Sequence, residues 1–122
     1  MKHIALAEQV INMLLEGKND ILSQLREQFE NALVISEEDS EAGFFINFKV
    51  KETVNQSKLD TFHIGDVFGN YEDVKYAVGF ILFVENGYIS MLEGYVNALD
   101  KWPKNDIAIN LVYFNMPRDI VF

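Results

Sequence analysis

Histidine is scarce in this chain, and that scarcity bounds its chemistry, because only His3 and His63 can act as an imidazole base or ligand. His3 stands at a terminus expected to be mobile, which leaves His63 as the one well-placed imidazole. Three residues further on, in His63-Ile64-Gly65-Asp66, lies a carboxylate. A bent segment would aim both groups at a ligand or metal; a plain turn would instead have Asp66 satisfying backbone amides beside Gly65. Glu93, within the apolar run Met91-Leu92-Glu93-Gly94-Tyr95, is the other carboxylate of interest. An unpaired charge among apolar neighbours is costly, so Glu93 must lie at a sheet margin, find a donor such as Arg26 or a tyrosine hydroxyl, or sit in a pocket that raises its pKa. Glu93, Asp66 and His63 are the smallest set that could perform acid–base work at the mouth of a sheet. Tyr95 and Trp102 flank a loop, where large aromatics serve either as caps on a core or as anchors for a partner.

Beyond these residues the usual catalytic signatures are missing. There is no cysteine, which removes disulfides, thiolate nucleophiles and cysteine-based zinc sites. The glycines at 17, 43, 65, 69, 79, 87 and 94 fit neither a phosphate loop nor a dinucleotide fingerprint, and no serine has nucleophile-elbow spacing. No metal and no cofactor is expected. Ten Lys and Arg stand against 19 Asp and Glu, a net charge of −9, so the mean surface field repels phosphate backbones and argues against nucleic acid. Tyr76 to Val84, the longest uncharged apolar stretch, is far short of the roughly 18–20 residues of a bilayer-spanning helix. Met1-Lys2-His3-Ile4 runs into a mixed segment with Glu8 and no long apolar region. A cytoplasmic protein without a membrane segment is the expectation.

The elements that must position these groups follow from periodicity. With 122 residues, 49% hydrophobic and including ten Phe, the chain suits one domain, 1–122. Ile4, Ala7, Val10, Ile11, Leu14 and Leu15 recur at helical spacing and predict a helix ending near Gly17. A second helix starts at Asn19 or Asp20, either of which can cap free amides, and aligns Ile21, Leu22, Leu25 and Phe29. Residues 32–36 and 44–50 read as strands, separated by the acidic run Glu37, Glu38, Asp39 and Glu41, whose repulsion favours a solvated turn. Residues 51–61 read as a long loop and His63 to Phe68 as a short strand.

Gly79 to Tyr95 reads as a β-hairpin about Asn86-Gly87, a pair suited to a two-residue turn with positive φ. The turn makes Glu85 face Tyr88, and counting outward pairs Val84 with Ile89, Leu82 with Met91 and Phe80 with Glu93 on one face, and Phe83 with Ser90 and Ile81 with Leu92 on the other. Both faces are then largely apolar, which predicts a central, covered hairpin. A last strand spans Ile107 to Phe114, after Trp102-Pro103. The fold class expected is α+β: two N-terminal helices packed on a mainly antiparallel sheet of five to six strands.

Three stretches, Gly43-Phe44-Phe45-Ile46-Asn47-Phe48-Lys49-Val50, Gly65-Asp66-Val67, and Gly79 through Tyr95 followed by Lys101-Trp102-Pro103, together resemble a family of small bacterial proteins without assigned catalysis. The resemblance covers about residues 21 to 114. Family members often carry an arginine ahead of a threonine-glycine pair before the second strand, where this chain has Asp39-Ser40-Glu41-Ala42-Gly43, so a site built on that arginine is missing here. The resemblance implies a cytoplasmic bacterial domain, some proteins of this general kind looking like immunity or accessory factors.

The dearth of catalytic groups and the negative charge favour a non-enzymatic protein-binding domain, immunity-like or accessory in role. The acidic residues 37 to 41 would steer a basic protein partner, and Tyr95 and Trp102 would anchor it. The alternative is a small-molecule-binding or hydrolytic domain using Glu93, Asp66 and His63. Either a monomer or a homodimer is compatible with an edge strand that can pair with its twin.

Overall fold

A computed structural model describes residues 2–106, 110–120 and 122. Helices α1 (Ile4–Leu14) and α2 (Asp20–Glu30) precede strands β1 (Ala32–Ser40), β2 (Gly43–Val50), β3 (Phe62–Asn70), β4 (Val78–Glu85), β5 (Tyr88–Tyr95) and β6 (Asn110–Tyr113). The strands form one antiparallel sheet in the order β1-β2-β5-β4-β3-β6, and the helices pack on it, as the α+β reading required. Residues 107–109 of the expected last strand lie outside the described residues. Among the described residues no helix is long and apolar enough to cross a membrane.

The helices form where the apolar stripes predicted them. Leu6, Ala7, Val10, Ile11 and Leu14 of α1 and Leu22 and Leu25 of α2 are buried against Phe44, Ile46, Phe80, Leu82 and Leu92 of the sheet. Asn19 is the cap of α2, its side chain accepting from the Ile21 amide at 2.8 Å. Helix α1 has no such neighbour in sequence; Glu37 of β1 reaches across and accepts from the amides of Lys2 and His3 at 3.2 and 3.1 Å. A carboxylate there satisfies orphan amides and meets the positive end of the helix dipole.

That contact accounts for one departure from the expected layout. The acidic run is not a loop: β1 extends through Glu37, Glu38 and Asp39 to Ser40, and the turn lies at Glu41-Ala42. Alternation places Glu37 and Asp39 together on the helix side, where they meet the start of α1, and turns Glu38 to the other face.

The hairpin turn forms as read, with Asn86 at φ 53° and Gly87 at φ 79°. The register beyond it does not. Glu85 faces Tyr88 and Val84 faces Ile89, but Phe83 then faces Met91, leaving Ser90 as an extra residue in a bulge. Leu82 therefore faces Leu92, Ile81 faces Glu93 and Phe80 faces Gly94, in place of the predicted pairs Leu82 with Met91, Ile81 with Leu92 and Phe80 with Glu93. An unbroken ladder would have carried Glu93 onto the core side; the bulge substitutes Leu92, which is fully buried, and moves the carboxylate to the opposite face. The hairpin is central, as expected, but covered on one face only.

Candidate functional site

The face of the sheet away from the helices is a mosaic that the pairing lays out row by row. One row runs Glu38, Phe45, Glu93, Ile81 across β1, β2, β5 and β4. Beside it run Ser36, Asn47, Met91, Phe83 and His63. On its other side lie Tyr95, Gly79, Phe68 and Val112, with Phe114 against Phe68 at 5.9 Å. Phe45 is 37% exposed and Phe114 70%, large apolar groups left open to solvent. Glu93 sits half-buried between Phe45 and Ile81. Burial pushes its carboxyl above the usual range. The phenol of Tyr95 is also raised, by burial first and by the Glu93 charge second. Arg26, the donor considered for Glu93, is committed elsewhere, to the carbonyls of Leu15 and Gly17.

His63, Asp66 and Tyr95 line one cleft of about 300 Å³, together with Ile81 and the C-terminal residues Asp119 and Ile120; Glu93 is outside its lining. Within it Asp66 is already held. Arg118 donates from Nε and Nη2 to its two oxygens, both at 2.7 Å, and also reaches the carbonyls of Leu14 and Glu16 at the end of α1. A carboxylate so paired fastens the chain end to β3 and α1. His63 is exposed, its ring 6.2 Å from that of Phe83.

Trp102 lies on the opposite, helix-bearing face and caps the core: its ring packs edge-on to Phe44 at 5.2 Å and Phe80 at 6.0 Å. Gly94 permits this, since a Cβ there would come within 2.5 Å of Phe44 and 2.9 Å of Trp102. Trp102 Nε1 donates to Asp106 at 3.0 Å, and the same carboxylate oxygen binds His3 Nδ1. His3 is 5% exposed, stacked on Phe44 at 4.6 Å and 14°, so the expectation of a mobile terminal histidine is overturned. Its Nε2 faces Asp39 at 3.6 Å, beyond hydrogen-bond reach. These groups border an open cleft of about 550 Å³ that also receives Lys2, Glu41 and Lys101.

Sequence reasoning therefore missed His3, Asp39, Asp106 and Arg118 as a set. The partners are 103 residues apart for His3 with Asp106 and 52 for Arg118 with Asp66. No family model matches the chain, and neither does any curated protein or solved structure. The family likeness read from the sequence thus rests on its quoted stretches alone.

Proposed function

We propose that this chain is a non-enzymatic protein-binding domain that presents the helix-free face of its sheet to a partner carrying apolar and basic groups. The observation that supports it is Glu93, a half-buried carboxylate between Phe45 and Ile81 on an uncovered apolar face. A cation placed there by a partner would relieve its desolvation, and the second carboxylate of the row, Glu38, extends the same charge. Five strands of about eight residues at about 3.4 Å each, side by side at about 4.8 Å, offer a face of roughly 27 by 24 Å to which the four-residue β6 adds a margin, near the about 800 Å² that one side of a standard interface covers. The net charge of −9 would speed encounter with a basic partner. An immunity-like inhibitor is the narrower form of this reading.

The test places a photo-crosslinking residue at Phe45 on the open face or at Glu8 on α1, in lysate of the source organism at low and high salt. The reading expects a discrete adduct from position 45 that weakens with salt and disappears with Glu93→Lys, and none from position 8. Adducts of equal yield from both positions, adducts indifferent to Glu93→Lys, or none at either salt would overturn it. An adduct of twice 14.0 kDa would replace the basic partner with a second copy of the chain.

A further inference from the structure

The second carboxylate cluster lies on the opposite side of the sheet from Glu93 and is built differently. A ring nitrogen of His3 and one carboxylate oxygen each of Glu37 and Asp39 lie within 4.8 Å of one another, and His3 Nε2 is 3.6 Å from Asp39 Oδ1. We propose that His3, Glu37 and Asp39 form a binding site for a divalent transition-metal ion, with His3 Nε2 as its nitrogen ligand.

The imidazole is the group that points to a cation. Asp106 can only accept from Nδ1 when ionised, so it fixes the proton on that nitrogen, and Trp102 in turn fixes Asp106. That leaves the other ring nitrogen, Nε2, 3.6 Å from Asp39 Oδ1 and beyond hydrogen-bond reach. This side chain is more than nine-tenths buried, and stacking on Phe44 fixes its plane. A metal-bound histidine ordinarily has its other nitrogen on a carboxylate, which is the Asp106–His3 arrangement.

The Glu37 carboxylate is held beside the imidazole by the amides of Lys2 and His3, which donate to its two oxygens at 3.2 and 3.1 Å.

The geometry suits a small ion. His3 Nε2 and Asp39 Oδ1, 3.6 Å apart, nearly match the about 3.4 Å edge of a tetrahedron with bonds of about 2.1 Å, and a Glu37 carboxylate oxygen completes the group within 4.8 Å. One imidazole with two carboxylates selects zinc, cobalt, manganese or iron over calcium and magnesium, which take oxygen ligands. Three protein ligands beside an open cleft leave a coordination position for a small anion or water.

The experiment titrates tag-free protein with Zn²⁺ by calorimetry in excess Mg²⁺, and with Co²⁺ by visible absorption. One equivalent should bind, with cobalt bands of four- or five-coordinate intensity. Asp39→Asn and His3→Gln should each weaken binding at least about 100-fold, Asp106→Asn about 10- to 100-fold, and His63→Gln not at all. Asp39 has a side chain 40% exposed at the sheet edge, so its variant tests the site even if His3→Gln loosens α1, which an unchanged urea midpoint would check. Absence of saturable binding, full affinity in Asp39→Asn, or loss of binding in His63→Gln would overturn the proposal.

Discussion

Gln28 gives the sharpest test of how the two layers are joined. It is fully buried on α2 and makes three hydrogen bonds: Nε2 donates to the carbonyls of Gly87 at 2.7 Å and Asn55 at 3.1 Å, and Oε1 accepts from the Ile89 amide at 2.9 Å. The three contacts are not equal. Gly87 O also receives the Ser57 amide at 2.9 Å, and Asn55 is exposed, so both carbonyls keep a partner or water when Gln28 is cut back. The Ile89 amide is buried, and orphaning it costs about 1–3 kcal/mol. Loss of one packed methylene in Gln28→Ala adds about 0.8 kcal/mol, a total of about 2–4 kcal/mol. With a urea slope of about 2 kcal/mol/M, the midpoint falls by about 1–2 M. Gln28→Met separates the terms, since it keeps the volume and removes the hydrogen bonds, and should lose about 1–3 kcal/mol. Gln24→Ala, which frees only the exposed Lys58 amide, is the reference and should cost less than about 0.5 kcal/mol. If Gln28→Met matches the wild type, or if Gln28→Ala is no worse than Gln24→Ala, the pairing of the Ile89 amide does not hold the layers together.

Two further predictions concern charge. Because the folded pKa of Glu93 is raised above its unfolded value, the folded chain holds the proton longer, and stability drops as pH rises from the ordinary glutamate range through the folded value. Glu93→Gln should therefore be the more stable protein at pH 7, with the advantage gone by about pH 4; urea midpoints at both pH values check this, and a Gln variant weaker than wild type at pH 7 would refute it. Arg118→Met should cost about 1–3 kcal/mol by leaving Asp66 and the Leu14 carbonyl without their charged donor, and should raise amide exchange in the last turn of α1. Exchange unchanged there would show that Arg118 does not fasten the chain end.

What could be read in advance divides along a physical line. The stripes of α1 and α2, the Asn19 cap and the Asn86-Gly87 turn are local, so their residue types disclose them. Gln28 continues the interval of Leu22 and Leu25, yet its polarity conceals that the position is buried, because its partners lie 27 to 61 residues away. The Ser90 bulge has no local signature; it arises because the sheet must bury Leu92 rather than Glu93. For the same reason the face that Glu93 takes is not legible from the hairpin turn. The run Glu37 to Asp39 looked self-repelling, and only the start of α1 and His3, brought in from the far side of the fold, explains a strand there. Position in the chain conceals the burial of His3, and of the two roles the sequence leaves open to Trp102, cap and anchor, the ring takes the cap.

Helix α1 is held at both ends by residues made long after it. His3 waits for Asp106, the Met13 carbonyl for the Tyr113 hydroxyl, and the Leu14 and Glu16 carbonyls for Arg118. At ribosomal rates of about 5–20 residues per second, the first helix is out for some 5–20 seconds before its last fastener emerges. Throughout that interval the stripe Leu6, Val10, Ile11 and Leu14 has no finished sheet to cover it. Helix α1 is thus made long before the residues that secure it, and its apolar stripe waits on them for its cover.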